Sequence, residues 1–308
     1  MSDHAQPPAP GRPQAPAPAP GDAVPAGRLH VDESGPREAE SIVFLHGGNV
    51  AGWMWGPQRE ALTEYHQLVP DMPGFGLSNE VPWRSIAETA DRVATVIRER
   101  AHGGRAHVVG LSLGAVVGTL LVARHPGVVR SAVLSGAPLH GLGPFMSWLA
   151  RAQLRLWHSA AYWATMGRGY HLEPDALERF VETGIGIDPR SARRMVEQVN
   201  TGVVDELGGL DGNPVPVLGV AGGAESRTVT GALRHYLRAE RAVVRLAPGM
   251  HHVWNVENPR LFTDMVRTWI VEGRAHAQLE GVPAHLLATP RREARRARAR
   301  ERQQGQRR

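Results

Sequence analysis

The sequence contains no cysteine among its 308 residues. Disulfide bonds, thiolate nucleophiles and cysteine-based metal or iron–sulfur sites are therefore excluded. The chain also has no apolar run approaching the roughly 18 residues that a membrane-spanning helix needs. Its beginning, MSDHAQPPAP, lacks the basic start and apolar core of a signal peptide. From these absences we expect no membrane span and a cytoplasmic location.

Motifs for metal ions and nucleotides are missing as well. The sequence has no paired-histidine helix motif, no acidic calcium loop, and no Walker or dinucleotide-binding glycine pattern. We therefore expect neither a metal ion nor an organic cofactor.

The positive charge of the chain is concentrated at one end. The whole sequence has a net charge of +5 and a pI of about 10.5, which would ordinarily suggest a nucleic acid or an anionic membrane as partner. Residues 291–308, however, contain nine Arg and two Glu, a net charge of +7, so residues 1–290 carry −2. No base-reading motif or interleaved aromatic residue accompanies these arginines. We expect a solvated tail that binds polyanions non-specifically, and no specific nucleic-acid site.

The remaining chain has the pattern of an α/β protein. Near-continuous apolar segments alternate with helix-length stretches, as in a mostly parallel sheet covered by helices on both faces. The strand candidates are residues 41–46, 66–71, 106–110, 131–137, 215–222 and 242–249. Between residues 143 and 209 amphipathic helices follow one another without a strand, which indicates an inserted helical cap.

These patterns divide the chain into consecutive segments. A Pro/Ala-rich leader has too few apolar residues to offset the entropy of ordering, and we expect it to be disordered. The segments are the leader (1–26), the first part of the core (27–142), the helical cap (143–209), the second part of the core (210–278) and a basic Arg-rich tail (279–308).

The segment HVVGLSLGAVVG, residues 107–118, contains the first candidate for a catalytic residue. It is a β-branched strand that enters Gly-x-Ser-x-Gly at Ser112 and continues into an apolar helix of small residues, the pattern of a nucleophile elbow. Gly110 and Gly114 lack the Cβ that would collide in so sharp a turn. Because the flanking strand and helix are both present, we interpret Ser112 as a nucleophile rather than as a chance motif.

Four motifs together resemble the α/β-hydrolase family, over roughly residues 28–275. They appear in that family's order: SIVFLHGGNVAGWMW, DMPGFGLS, GLSLG and PGMHHVWNVENPRLF. The resemblance implies an α/β-hydrolase fold and assigns the backbone N–H of Gly48 to the oxyanion hole. Leu113 opens the helix after Ser112, so its backbone N–H is expected to be the second donor. The loop that contains Asp71 is expected to be structural, with the carboxylate bonding its own turn.

The resemblance also implies a base and an acid. Of two adjacent histidines, His252 fits the family-like spacing His-x4-Glu-x-Pro, and His251 does not. The acid is expected after the strand VPVLGVAG, where Glu225 replaces the usual aspartate; its alternative role is to begin the following helix. Asp205 and Asp211 are weak substitutes.

Tryptophans are candidates for the wall of the substrate pocket. Aromatic residues at helical spacing also pack a cap against a core, and for Tyr162 and the cap tryptophans that interpretation stays open. The tentative pocket residues are Trp53, Trp148, Trp157, Trp163 and Trp254.

The resulting prediction is a serine hydrolase with the triad Ser112, His252 and Glu225, acting on small to medium carboxylic esters as its acyl substrates. A serine at the elbow disfavours dehalogenase and epoxide-hydrolase chemistry, which in this fold uses a carboxylate. A C–C bond hydrolase, a lactonase or a cofactor-free haloperoxidase would use the same residues. A non-catalytic ligand-binding protein of the same fold is a further alternative.

Overall fold

The computed structural model describes residues 27–141, 144–169, 172 and 174–288. The predicted leader, residues 1–26, and the arginine-rich residues 291–308 lie outside the described part of the chain. The strands are β1 (Val31–Ser34), β2 (Ser41–Leu45), β3 (His66–Pro70), β4 (Ala106–Leu111), β5 (Val129–Ser135), β6 (Val217–Gly222), β7 (Ala242–Ala247) and β8 (Glu280–Gly281).

The strands form one sheet of eight, in the order β1-β3-β2-β4-β5-β6-β7-β8. All neighbours from β3 to β7 pair in parallel, whereas β1 and β8 are antiparallel edge strands. A strand lies at each of the six predicted positions, and β2, β3, β4 and β6 are buried at every residue. The predicted α/β class with a mostly parallel sheet is confirmed.

Helices cover both faces of the sheet. They are α1 (Gly56–Ala61), α2 (Ile86–Arg100), α3 (Leu113–Arg124), α4 (Pro144–Gln153), α5 (Ala160–Gly169), α6 (Pro174–Gly186), α7 (Pro189–Thr201), α8 (Arg227–Ala232), α9 (Trp254–Glu257), α10 (Pro259–Glu272) and α11 (Ala284–Leu287). Alternate side chains of β2 enter different cores. Val43 and Leu45 pack with α2, α3 and the α4–α7 segment, whereas Ile42 and Phe44 pack with α10. This alternation is the period-2 pattern of a strand that is buried on both faces.

Helices α4–α7 lie between β5 and β6, within the segment predicted as the cap. Gln198 of α7 forms hydrogen bonds with the core through both the oxygen and the nitrogen of its side-chain amide. Its Oε1 accepts from Trp83 Nε1 at 3.2 Å and from the backbone N–H of Ile86 at 2.9 Å, and its Nε2 donates to the carbonyl of Arg84. Trp53 Nε1, from the core, donates to Thr183 Oγ1 of α6 at 3.1 Å. The cap is therefore held to the core by polar contacts as well as by apolar packing.

The sheet continues beyond the predicted tail boundary at residue 279. Strand β8 pairs with β7 through Leu246 and Glu280, and α11 contacts α8. Within the described residues, no helix combines the length and the apolar character needed to cross a bilayer.

Candidate active site

Ser112 joins the end of β4 to the start of α3 in a strained turn. Its φ of 54° and ψ of −116° lie outside the regions that L-residues ordinarily adopt. A Cβ on Gly110 would lie 2.6 Å from the carbonyl oxygen of Gly114, and one on Gly114 would overlap the carbonyl of Leu45. Only glycine fits at these two positions, and the turn that they permit presents the serine at the carboxyl edge of the sheet.

Three side chains form a continuous hydrogen-bonded chain at this edge. Nε2 of His252 lies 2.9 Å from Ser112 Oγ, and Nδ1 of His252 lies 2.6 Å from Oε2 of Glu225. Because a carboxylate only accepts hydrogen bonds, Nδ1 carries the ring proton and Nε2 accepts from the serine hydroxyl. The other oxygen, Oε1, accepts from the backbone N–H of Gly222 at 2.9 Å. Each partner thereby fixes the orientation of the next.

Glu225 is the carboxylate that His252 contacts. Its side chain is 3% exposed, while the imidazole is 44% exposed on the side that faces the cavity described below. The weak substitutes do not take this place. Asp211 forms two hydrogen bonds with Arg238, at 2.6 and 2.7 Å, and Asp205 lies in a 3-10 helix, Val204–Leu210, before β6.

The neighbouring His251 has a separate partner. Its ring is 72% exposed, its Nδ1 lies 3.0 Å from Oε1 of Glu257, and its backbone N–H donates to Oε2 of the same residue. Burial would raise the pKa of Glu257, but these hydrogen bonds from His251 outweigh burial and lower the pKa. The structure thus distinguishes the two adjacent histidines, and Glu257 stabilises the loop rather than contacting His252.

A second set of hydrogen-bonded serine, histidine and glutamate side chains lies at the opposite edge of the sheet. Ser41 Oγ is 2.9 Å from Nδ1 of His66, whose Nε2 is 3.2 Å from Glu33. Ser41 and His66 are fully buried at the amino ends of β2 and β3, and Ser41 also accepts from the backbone N–H of His102. Since this set has no access to the cavity beside Ser112, we assign it a structural role.

The loop after β2 is held by a buried histidine. Nε2 of His46 accepts from the backbone N–H of Met72 at 2.9 Å, so its Nδ1 is the donor to the carbonyl of Gly47 at 2.8 Å. Burial lowers the pKa of His46, which keeps the ring neutral in this role. The Gly47 carbonyl and the Gly48 N–H belong to one planar peptide, so the same hydrogen bond restrains the direction of that N–H. Gly48 and Leu113 both line the cavity.

Asp71 has the structural role that the sequence predicts. Its Oδ1 accepts from the backbone N–H of Gly52 at 2.7 Å, and its Oδ2 accepts from that of Leu77 at 2.8 Å. The carboxylate therefore ties the loop after β3 to the loop after β2.

A cavity of about 300 Å³ lies between this edge of the sheet and the cap. Its floor contains Ser112, His252 and the loop after β2, and its roof is formed by the cap. No Asp, Glu, Lys or Arg lines it among the described residues. The roof residues are Ala150, Gln153, Trp157, Leu172, Phe180, Met195, Val196, Val199 and Asn200. The site therefore fits an uncharged, largely apolar molecule.

Of the predicted pocket tryptophans, Trp53 and Trp157 line the cavity. The other three do not, which corrects that prediction. Trp148 is 63% exposed on the outer surface of α4. Trp163 is fully buried within the cap, where its ring meets Trp157, Tyr162 and Phe180 edge-on. Aromatic packing inside the cap thus accounts for Trp163.

Trp254 is also buried away from the cavity. Its Nε1 donates to Ser135 Oγ at 2.9 Å, and its ring packs on Phe262 with centroids 4.6 Å apart. These contacts hold the start of α9, two residues after His252.

One face of α7 forms part of the cavity wall, which the sequence does not predict. Met195, Val196, Val199 and Asn200 recur at the spacing of one helical face and all line the cavity. The amphipathic pattern of this segment was the available signal, but a helix face that covers a cavity has the same periodicity as one that packs on a core.

Within the described residues, no group of three or more His, Asp or Glu side chains is placed to hold a metal ion. The polar groups beside Ser112 are those of an acid–base system.

Comparisons with known proteins agree with this fold. Residues 42–265 match the model of the alpha/beta hydrolase family. An AB hydrolase superfamily protein of Gibberella zeae is 30% identical over 252 residues, which cover 79% of this chain and 84% of that protein. A pimeloyl-(acyl-carrier protein) methyl ester esterase of Neisseria meningitidis is 26% identical over 223 residues, which cover 61% of this chain and 81% of that protein.

A solved structure gives an independent comparison of the fold. A carboxylesterase from Bacillus subtilis superposes with a TM-score of 0.65 and 21% identity, covering 82% of this chain and 90% of that chain. At that identity the likeness concerns the fold alone.

Proposed function

Because the chain belongs to the alpha/beta hydrolase family and has its fold, we propose that it is a serine hydrolase that cleaves uncharged carboxylic esters through an acyl-enzyme. The observation that carries this proposal is the unbroken chain from Glu225 through His252 to Ser112, which ends on the wall of a cavity. A serine hydroxyl needs such a base within hydrogen-bond distance to act as a nucleophile at neutral pH.

In the proposed first step, Ser112 Oγ attacks the ester carbonyl while its proton passes to Nε2 of His252, 2.9 Å away. Glu225 keeps the proton on Nδ1 and stabilises the imidazolium that forms. The backbone N–H groups of Gly48 and Leu113 are the proposed oxyanion donors. A Cβ on Gly48 would lie 4.0 Å from Leu113 Cδ2, so the two segments are neighbours. Leu113 also begins α3, where the helix dipole favours negative charge.

In the following steps the imidazolium returns its proton to the leaving alkoxide, and the alcohol departs. A water molecule then loses a proton to His252 and attacks the acyl carbonyl, which releases the acid and restores Ser112. The only side-chain carboxylate in these steps is that of Glu225, which lies behind the imidazole and does not line the cavity.

The relatives support more than the fold, because the activity for which one of them is named supports an ester as the substrate. The Neisseria meningitidis relative is described as a methyl ester esterase and aligns over most of its length. For this chain, the apolar wall contributed by the cap favours an acyl chain of small to medium length.

The test is labelling of the intact protein by a fluorophosphonate serine probe, together with hydrolysis of p-nitrophenyl esters from acetate to decanoate. We expect Ser112→Ala and His252→Ala to abolish both labelling and turnover. His251→Ala is the matched control, because it changes the adjacent histidine, and it should retain both. A well-folded wild-type protein without labelling would contradict the proposal, and labelling without ester turnover would point to lactone or C–C bond substrates.

A further inference from the structure

The roof of the cavity includes Asn200, whose side-chain amide forms no hydrogen bond with any of the described residues. Asn200 lies in the last turn of α7, next to the apolar Val196 and Val199 that also line the cavity. Its Oδ1 and Nδ2 are both buried and have no hydrogen-bond partner in the described part of the chain. A buried amide without partners is costly, so folded proteins rarely keep one without a reason.

Gln198, on the same helix, differs from Asn200 because both the oxygen and the nitrogen of its side-chain amide are hydrogen-bonded. The Gln198 amide is satisfied at both ends, by bonds to the backbone and side chains of the core. Asn200 is among the residues that line the cavity, and Gln198 is not.

Three more polar atoms of residues that line the cavity lack a partner among the described residues. They are the acceptors Oδ1 of Asn49 and Oδ1 of Asn255, and the donor Nε1 of Trp157. Asn49 also adopts a φ of 65°, an uncommon conformation for a residue other than glycine. Unpaired donors and acceptors thus occur on both the floor and the roof of one cavity, and no Asp, Glu, Lys or Arg of the described residues lines it.

We propose that Asn200 is a specificity-determining residue that pairs with a carboxamide-like group on the acyl chain of the substrate. A carboxamide presents N–H and C=O along one edge, so it can donate to Oδ1 and accept from Nδ2 of Asn200 in two hydrogen bonds. A carboxylate has no donor for Oδ1 and would be desolvated without a compensating cation. An alkyl group leaves both atoms unpaired. This inference rests on the proposed esterase function and adds the polarity of the acyl chain to it.

The test compares three p-nitrophenyl esters whose acyl chains end in groups of similar shape. They are the adipamate, with a terminal carboxamide, the 6-methylheptanoate, with an isopropyl group, and the hydrogen adipate, with a carboxylate. A second set of three esters, each with an acyl chain one methylene longer, tests whether the terminal group must reach further into the cavity. In the wild type we expect the carboxylate ester to be the slowest of each set.

The decisive variant is Asn200→Leu, which replaces the amide with an apolar group of similar size. We expect kcat/KM for the carboxamide ester to fall by about tenfold or more, the effect of losing hydrogen bonds to the substrate, while kcat/KM for the isopropyl ester is retained or rises. Val199→Leu is the matched control: it changes volume in the same wall but no polarity, so it should change both esters in the same direction.

The outcomes separate this inference from the proposed function. If Asn200→Leu changes both esters by the same factor, Asn200 has no part in specificity, although the esterase proposal stands. If the wild type hydrolyses none of these esters and is not labelled by fluorophosphonate, the proposed function and this inference both fail. Asn200→Ala gives the same comparison should the leucine variant not fold.

Discussion

A Cβ atom on Gly136 would lie 3.1 Å from both Cε1 and Nδ1 of His252. It would also lie 3.3 Å from Oε1 of Glu225, and the backbone of Gly136 has a φ of 67°. The residue follows the end of β5, so the edge of the sheet itself forms the surface behind the imidazole. The absence of a side chain at this point leaves room for the ring to stand between Ser112 and the carboxylate.

We therefore expect Gly136→Ala to impair activity more than stability. The methyl group would push the imidazole from its position, and a displacement of this kind costs on the order of 10²-fold in rate. The positive φ adds about 1–2 kcal/mol of strain. The measurements are kcat on a p-nitrophenyl ester and the rate of fluorophosphonate labelling. Gly127→Ala is the control, because no described atom lies within 4 Å of its added Cβ; equal activity of the two variants would refute the argument.

Glu225→Gln should lower kcat by on the order of 10³- to 10⁴-fold. The amide can donate to Nδ1 of His252, which favours the tautomer with the proton on Nε2 and leaves that nitrogen unable to accept from Ser112. Glu225→Asp keeps the charge but shortens the reach, so we expect it to retain more activity than the glutamine variant. Steady-state kinetics of both variants tests this order.

The matched control for Glu225 is Glu257→Gln. Glu257 pairs with the exposed His251 and not with His252, so its loss should leave kcat within a few fold of the wild type. A loss of activity as large as that of Glu225→Gln would show that the two carboxylates share the role.

The sequence predicts most of this site because its motifs are local. Ser112 stands on a turn that its own flanking glycines permit, and His252 and Glu225 follow strands whose carboxyl ends meet at one edge of a parallel sheet. Residue type alone would not separate this set from Ser41, His66 and Glu33, which form a similar set at the other edge. Position relative to the strand ends makes the distinction.

The cap is where prediction from the sequence fails. Its helices are evident, but which face of each helix meets the cavity depends on how they pack together. For that reason Trp163 and Trp157, six residues apart in the chain, have different surroundings: Trp157 lines the cavity, and Trp163 is enclosed by other aromatic rings. Asn200 gave no signal because one polar residue at the end of an amphipathic helix is ordinary. The sequence does not predict the edge strands β1 and β8, because both are short, β1 is buried only at Val31, and both residues of β8 are exposed.

Gln198→Leu should loosen the cap. The substitution leaves the N–H groups of Trp83 and Ile86 without their acceptor, and we expect a loss of about 1–3 kcal/mol in the free energy of unfolding. Because the cap forms the apolar wall of the cavity, turnover of longer esters should fall more than that of the acetate ester. Urea unfolding and the ester series are the measurements. Glu197→Leu, at an exposed position on the same helix, is the control, and equal effects of the two variants would contradict a specific role for Gln198.

His235 should make the protein less stable in mild acid. Burial first, and then electrostatic interactions with His140, Arg234 and Arg238, lower the pKa of His235 from 6.5 to about 3. Between these two values the unfolded chain binds a proton that the folded protein does not, so stability is full above about pH 6.5 and falls as the pH drops towards 3. For this one group the free energy of unfolding should decrease by about 2 kcal/mol between pH 7 and pH 5.

Urea unfolding of the wild type and His235→Gln at pH 7 and pH 5 tests this contribution. Burial also lowers the pKa values of His46 and His107, so both proteins should lose stability in acid, but the variant should lose about 2 kcal/mol less. His285→Gln, at an exposed position, is the control for the loss of a histidine elsewhere in the chain. If His235→Gln has the same pH dependence as that control, then His235 accepts a proton in the folded protein near its ordinary pKa, and its burial does not keep it neutral.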